Sequence, residues 1–170
     1  MKQYLELLED VLANGKRREK TLQGPGDLSV FVRTKIYPVS AEAFPILTTK
    51  KINFKSVAVE LLWFLKGDST WDYLHEHGVH FWDEWGTEEV ATLYGLKEGD
   101  FGPIYGPNWI HWPDPNGGEL NQIARLVEGL KNNPGSRRHK VVAYNPATID
   151  NVMVSPCHGD FKCYVDMESN

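Results

Sequence analysis

The sequence predicts an α+β fold in a single domain. Helical patterns lie at the front of the chain, whereas short runs typical of strands are distributed along the rest. The length of 170 residues is ordinary for one domain with its own core, and no low-complexity run or Ser/Gly linker divides it. An apolar fraction of 41% and a charged fraction of 24% are typical of a globular protein.

The first third of the chain predicts one helix followed by extended segments. Residues 1–14 place apolar side chains at the helical period, and Gly15 follows as a stop signal. After the glycine turn "QGPGD", the runs "LSVFV" (28–32) and "TKIYPVS" (34–40) predict strands. The segment "FPILTTKKI" (44–52) predicts extended chain around a proline.

The middle of the chain predicts further helices. Residues 54–65 carry apolar side chains on most sides, which is typical of a core helix. In "DSTWDYLHEHG" we expect a short helix that starts with Asp68 or Ser69 as its N-cap and stops at Gly78. A later helix fits "ELNQIARLVEGLKNN", residues 119–133, which has apolar side chains on one face.

Between these helices, the segment from Trp82 to Trp112 is expected to be an ordered loop region. It holds four tryptophans, many glycines and prolines, and little periodicity, so we expect its aromatic side chains to be available to a ligand. The runs "KVVAY" (140–144) and "CHGDFKCYV" (157–165) then predict strands, and the second holds both cysteines.

Composition argues against several classes of protein. The longest apolar run, "VAVELLWFL", is too short to span a bilayer, and the N-terminus is amphipathic rather than a signal sequence, so we expect a cytoplasmic protein. A net charge of -5 argues against nucleic-acid binding, although 15–20 and 136–140 are basic clusters. Two cysteines are too few for a disulfide scaffold or a four-thiolate zinc site.

Cys157 is the candidate nucleophile. It follows a proline at the start of the predicted last strand, where a side chain can face a cleft. Because successive strand residues point to opposite faces, a papain-like pair of Cys157 with His158 is not expected. Arg137 and Arg138 would stabilise a thiolate if they approach it, or they form a solvated turn after "NNPGS". Cys163 is expected to be a core residue.

Further candidate site residues are Glu60, Trp82 and Trp85, and each has two interpretations. Glu60 interrupts an apolar helix, so it either faces solvent through a gap or is buried and paired. Burial would raise its pKa and suit it to proton transfer. Trp82 and Trp85 in "FWDEW" belong either to the core or to a platform for a ligand.

Nearly the whole chain resembles the thymidylate synthase family in a series of segments that occur in one order. They are "MKQYLELLEDVLANG", "FPILTTKK", "ELLWFLKGD", "YLHEHGVHFWDEW", "FGPIYGPNW", "NNPGSRR" and "SPCH". The resemblance implies a thymidylate synthase-like mixed sheet with surrounding helices. It also implies that Cys157 is the catalytic nucleophile.

The resemblance implies the reductive methylation of dUMP to dTMP, with 5,10-methylenetetrahydrofolate as cosubstrate and no metal. Cys157 would form a covalent adduct at C6 of the uracil. Glu60 would organise waters and protons near the base carbonyl and the folate. Tyr105 of "GPIYG" would assist removal of the C5 proton.

The resemblance also implies a homodimer and two sets of binding residues. The set for the nucleotide is Arg137, Arg138, His158 and Asn145. The two arginines would reach the phosphate of the partner's nucleotide. The set for the folate is Trp82, Trp85 and Lys50, of which the lysine would lie near the anionic tail.

Three features depart from the family's pattern. Leu22 stands where the family carries an arginine that binds the nucleotide phosphate, and losing one such charge-assisted contact costs about 1.5–3 kcal/mol. Residues 86–118 are expected to form a small-domain insertion. The chain ends at Asn170, whereas family members continue, so we expect the fold to be incomplete at the C-terminus.

These departures leave two alternatives beside the synthase. One is a pyrimidine nucleotide hydroxymethylase of the same superfamily, and the other is a non-catalytic truncated remnant. The choice between uracil and cytosine, the choice between a methyl and a hydroxymethyl product, and the biological status of the chain's end all stay open at this point.

Overall fold

The computed structural model describes most of the chain, namely residues 2–19, 26–40, 42 and 44–168. Leu22 lies outside the described residues.

The chain divides into two compact units, residues 1–53 and residues 54–170. Helices are combined with small two-stranded antiparallel sheets, which agrees with the predicted α+β class. The single domain and the insertion at 86–118 stay predictions. Within the described ranges, no helix is long and apolar enough to cross a membrane.

The first unit begins with the predicted helix. Helix α1 (Lys2–Asn14) ends where the Gly15 N–H donates to the Val11 carbonyl oxygen at 2.8 Å. A Cβ atom at position 15 would lie 2.3 Å from that oxygen, which is far inside van der Waals contact. The helix therefore needs glycine at its end to accept this close approach.

The strands of the first unit are shorter than the sequence predicts. Strand β1 (Lys16–Arg18) pairs with β2 (Asp27–Ser29) in antiparallel register. The predicted strand over 28–32 therefore ends early, because Val32 has a φ of 41°, a conformation that a β-branched residue rarely adopts. The sequence did not predict β1, whose three charged and exposed residues carry no alternation.

The strand predicted over 34–40 is wrong. This segment has no ladder partner among the described residues, and its neighbours are side chains of α1 instead. Arg33 forms an ion pair with Asp10, and Lys35 Nζ lies 3.1 Å from Glu6 Oε2. The strand was predicted from alternating hydrophobicity, and that pattern carries no information about these ion pairs.

The second unit contains the remaining elements. In chain order they are α2 (Phe54–Leu65), α3 (Asp72–Glu76), α4 (Glu88–Leu93), α5 (Tyr105–Ile110), β3 (Trp112–Pro113), β4 (Glu119–Leu120), α6 (Gln122–Asn132), β5 (Lys140–Val142), a 3₁₀ turn (Ile149–Asn151) and β6 (Asp160–Lys162). Helix α2 has the predicted bounds. It buries one face, with Val59, Trp63 and Phe64 in an aromatic core, and leaves large apolar side chains such as Leu61 and Leu62 exposed.

Helix α3 confirms the predicted short helix, but its predicted start at Asp68 or Ser69 is wrong. Asp68 Oδ1 accepts the Thr70 N–H at 2.9 Å in a local turn, and Ser69 Oγ donates to Asp100 Oδ1 at 2.9 Å. Both side chains are therefore engaged outside the helix. Gly78 follows the helix with a φ of 72°, which is the predicted stop.

The region between Trp82 and Trp112 is not the irregular loop that its glycines and prolines predict, since it contains α4 and α5. The Thr87 hydroxyl accepts the Val90 N–H at 3.4 Å and caps α4. Pro107 lies in the first turn of α5, where the missing N–H leaves no helical hydrogen bond unmade. Proline is therefore compatible with a helix at this position.

The last strands form a short antiparallel pair, β5 with β6. The strand predicted over 140–144 is confirmed for Lys140–Val142, and the one predicted over 157–165 is confirmed only for Asp160–Lys162. Cys157 therefore precedes β6 instead of beginning it. Cys163 follows β6 and is half-buried against the core, so it is a core residue only in part.

Candidate active site

The site is built around Cys157, whose side chain is exposed in the loop before β6. The Cys157 backbone N–H donates to the Tyr105 phenolic oxygen at 2.7 Å. Tyr105 is the first residue of α5 and is 4% exposed. A buried side chain from a distant helix therefore fixes the backbone that carries the exposed thiol.

Three aromatic rings pack around Tyr105. The Phe64 ring centroid lies 4.4 Å from that of Tyr105, and the His158 centroid lies 4.3 Å away on a tilted plane. Trp109, one turn further along α5, lies 6.3 Å away. Because Phe64 belongs to α2, this packing joins two helices and the loop that carries Cys157.

His158 lies beside Cys157 in sequence but packs on Tyr105. The predicted reason for excluding a Cys/His pair, opposite faces of one strand, is wrong because both residues precede β6. Although His158 is exposed overall, its ring also lies 6.2 Å from Phe64. This partial burial lowers the pKa of His158 below its usual value of 6.5, and a hydrogen bond to the backbone opposes the shift only weakly.

Burial also changes the acidity of Tyr105. It raises the pKa of the phenol above its usual value of 10.0, and this effect outweighs the opposing hydrogen bond from the Cys157 N–H. Tyr105 is therefore a neutral hydroxyl at physiological pH. It can take part in a relay of protons while its oxygen holds the Cys157 backbone.

Glu60 is half-buried on α2, which favours the second of its two interpretations. The Trp82 indole N–H donates to Glu60 Oε1 at 2.7 Å. Burial raises the pKa of Glu60 above its usual value of 4.5, and the bond from Trp82 only partly opposes the shift. Trp82 itself is buried and packs edge-on against Trp63 at 5.5 Å, so it belongs to the core while it also orients a carboxyl group.

The two arginines lie just before β5 in sequence and are exposed. Within the part of the chain that the structure describes, neither forms a hydrogen bond or ion pair with Cys157. Arg137 lines a cavity of about 150 Å³ together with Lys162 and Cys163, whereas Arg138 lines a different cavity of about 290 Å³. Their role in the site stays a prediction.

Three other predicted binding residues are not brought to Cys157 by any described hydrogen bond. Trp85 is half-buried against the core, which leaves part of the indole accessible. Asn145 is buried, and its Oδ1 accepts the Ala147 N–H at 3.0 Å. Lys50 is exposed in the first unit. Their binding roles also stay predictions.

Sequence reasoning missed Asn108, a buried residue that supports the site. Its Nδ2 donates to the Pro103 carbonyl at 2.6 Å and to the Ala143 carbonyl at 2.7 Å. The first bond holds the loop before α5, and the second ties α5, which carries Tyr105, to the chain after β5. The only signal in the sequence is a polar residue within the aromatic segment "YGPNW".

The second unit thus contains a thiol, a phenol and a carboxyl group with distinct acidities or exposures. An exposed thiol, a neutral buried phenol and a carboxyl group with a raised pKa are the groups that covalent catalysis with proton transfer requires. The thymidylate synthase family model matches residues 2–170, which is almost the entire chain. The family resemblance is thereby confirmed, and the chain belongs to the thymidylate synthase family.

Proposed function

We propose that this chain is a thymidylate synthase, a methyltransferase that converts dUMP to dTMP with 5,10-methylenetetrahydrofolate. The observation that carries the proposal is the hydrogen bond from the Cys157 N–H to the buried Tyr105 oxygen. It fixes an exposed thiol beside a neutral phenol. Membership of the family supports this assignment over other reactions of a thiol.

Cys157 acts as the nucleophile. The uracil C5 atom is not nucleophilic until a thiolate adds at C6, and the new S–C6 bond places electron density on C5. The folate supplies the one-carbon unit and the hydride. The S–C6 bond breaks at the end, so the thiol is regenerated.

Tyr105 assists removal of the C5 proton. Its oxygen already accepts the Cys157 N–H, and its raised pKa keeps the hydroxyl protonated. The phenol therefore relays a proton through its own hydroxyl group, which is consistent with general acid/base catalysis by a positioned side chain. A bound water completes this relay.

Glu60 holds protons near the uracil carbonyl and the folate. A carboxyl group whose pKa is raised toward neutrality can exchange a proton more readily than an exposed one. The indole of Trp82 keeps one carboxyl oxygen fixed, which leaves the other for a water or a ligand. The family resemblance supports a contact of the folate with Trp85, whose half-buried indole leaves part of the ring accessible.

Arg137 and Arg138 bind the nucleotide phosphate of a partner chain in a homodimer. Both guanidinium groups are exposed, and among the described residues neither has an acidic partner within ion-pair distance. Such groups suit bidentate contact with a phosphate. His158 and Asn145 line the nucleotide site of their own chain, beside Cys157.

The test is intact-protein mass spectrometry after incubation with 5-fluoro-dUMP and methylenetetrahydrofolate. Fluorine cannot leave as a proton does, so a working site stalls as a covalent ternary adduct. We expect the adduct in the unaltered chain and in Cys163→Ser, and we expect its loss in Cys157→Ser. Cys163 is the matched control because it is the other free thiol.

The outcomes of this experiment distinguish a synthase from a non-catalytic remnant and from a hydroxymethylase. Circular dichroism first establishes that both serine variants are folded. Absence of an adduct in the folded unaltered chain, or an adduct that survives Cys157→Ser, contradicts the proposal and favours a non-catalytic remnant. With dUMP as substrate, the rise in dihydrofolate absorbance distinguishes reductive methylation from hydroxymethyl transfer.

A further inference from the structure

A second group of chemically active side chains lies at the end of α3. His75 Nε2 is 2.7 Å from Asp83 Oδ1, and His80 Nδ1 is 3.1 Å from Asp83 Oδ2. The three candidate ligand atoms all lie within 4.8 Å of one another. Among the described residues this is the one group of three histidine, cysteine or acidic side chains placed closely enough to hold a metal ion.

Local structure explains why these three side chains meet. His75 lies in the last turn of α3, and the chain reverses at Gly78 with a φ of 72°. The reversal returns His80 to His75, with ring centroids 4.8 Å apart. Asp83 follows in a turn where its N–H donates to the His80 carbonyl at 3.2 Å.

Packing holds one of the ligands in place. The Trp71 ring stacks on His75 with centroids 4.8 Å apart and an interplanar angle of 28°. The His75 imidazole is therefore oriented before any ion binds. Pre-oriented ligands are typical of metal sites, because less conformational freedom is lost when the ion arrives.

We propose that His75, His80 and Asp83 bind a divalent transition-metal ion, with zinc as the best match. Two imidazole nitrogens and one carboxylate oxygen form a ligand set that zinc commonly takes with a water in its fourth position. Magnesium and calcium prefer oxygen ligands, so two histidines argue against them.

An ion would replace the hydrogen bonds within the group. His75 Nε2 and His80 Nδ1 each face one oxygen of the Asp83 carboxylate, so the same atoms can turn to a shared ion. As ligands, His75 Nε2 and His80 Nδ1 belong to neutral imidazoles whose single proton lies on the other ring nitrogen.

The site has a structural consequence for the turn that contains Trp82. Asp83 is adjacent to Trp82, and the Gly86 N–H donates to the Asp83 carbonyl at 3.1 Å. An ion that joins Asp83 to α3 restrains this turn. The ion therefore stabilises the fold, and this role does not depend on the proposed reaction at Cys157.

The test is titration of the full chain with Co²⁺, followed by its visible d–d absorption, and with Zn²⁺, followed by native mass spectrometry. We expect one ion per chain and a rise in melting temperature on binding. His80→Gln and Asp83→Asn should each weaken binding by at least about tenfold, since loss of even an outer-shell partner has effects of that size. The His80 side chain is 61% exposed, so its substitution should leave the fold intact.

Two controls make the result decisive. His77→Gln removes a histidine whose Nδ1 faces the Tyr73 carbonyl oxygen at 2.8 Å, so it should leave binding unchanged. Cys157→Ser should also leave binding unchanged, which separates this site from a thiolate site. The proposal is overturned if the unaltered chain binds no ion, if the two ligand variants bind as well as it does, or if either control abolishes binding.

Discussion

The Tyr105 hydroxyl and the Cys157 backbone N–H meet at 2.7 Å although the two residues lie 52 positions apart in the chain. The phenol is buried and the thiol is exposed. The Tyr105 hydroxyl thus holds the backbone of Cys157, while the Cys157 sulfur stays accessible. Rigid support of an exposed reactive group is a recurrent feature of active sites, because it holds the reacting atoms in position.

Tyr105→Phe should separate this support from the packing of the ring. The variant keeps the contacts with Phe64 and His158 but leaves the Cys157 N–H without its acceptor. We expect the free energy of unfolding to fall by about 1 kcal/mol, the usual net value of one hydrogen bond. We also expect slower formation of the 5-fluoro-dUMP adduct.

Urea denaturation and the time course of adduct formation measure these two effects. Tyr94→Phe is the matched control, because Tyr94 is half-buried elsewhere in the second unit. It should leave the adduct rate unchanged. An adduct rate in Tyr105→Phe equal to that of the unaltered chain would contradict a role for this hydroxyl in the reaction.

Glu60 should make stability depend on pH in a defined direction. Its pKa is raised in the folded chain, so the folded state binds the proton more tightly than the unfolded state does. The stabilisation is fully present below the usual value of 4.5 and is lost as pH rises through the folded-state pKa. Glu60→Gln keeps an oxygen for the Trp82 indole but carries no charge at any pH.

Denaturation of both chains across this pH range isolates the effect of the carboxyl group. The unaltered chain should lose stability relative to Glu60→Gln as pH rises above 4.5. A difference in unfolding free energy that is flat with pH, or that changes in the opposite direction, would exclude a buried carboxyl with a raised pKa. The same variant should slow adduct formation if Glu60 carries protons.

Local patterns predicted the helices more faithfully than the strands. Helix α1 follows from the spacing of its own apolar residues and from a glycine stop, and α2 follows from its dense apolar run, so the sequence carries this information locally. Strands β1 and β2 depend on a partner further along the chain and on where pairing stops. The φ of Val32 ends the predicted strand over 28–32, and the ion pair between Lys35 and Glu6 holds the segment predicted as a strand over 34–40. Neither feature is visible as a hydrophobic pattern in the sequence.

The candidate site likewise contains residues that local sequence could identify and residues that depend on distant contacts. Cys157 and Glu60 could be singled out from their local sequence, because a thiol after proline and a charge within an apolar helix are unusual. Tyr105 came only from the family motif, and its contact with Cys157 requires the folded chain. Asn108 was missed because its role consists of hydrogen bonds to two carbonyl groups, of which the one in Ala143 lies 35 positions away in the chain.

Asn108→Leu tests this hidden support. Leucine has a similar volume but no donors, so the carbonyl groups of Pro103 and Ala143 lose their partner inside the protein. We expect destabilisation of about 1–3 kcal/mol for each carbonyl left unsatisfied. Asn132→Ala, at an exposed helical position, is the control and should change stability by less than about 0.5 kcal/mol. Equal effects of both substitutions in urea denaturation would show that the buried bonds contribute nothing.

His158 should titrate below its usual value of 6.5, because partial burial beside Tyr105 disfavours the charged ring. The unfolded chain then binds the proton more readily, so this residue's stabilisation is present above 6.5 and is lost as pH falls through the folded-state pKa. NMR titration of the imidazole signal, assigned by its loss in His158→Asn, gives the midpoint. His158→Asn should remove this acid sensitivity from the unfolding free energy. A His158 midpoint at or above 6.5 would mean that the ring is fully solvated and does not pack on Tyr105 as the geometry requires.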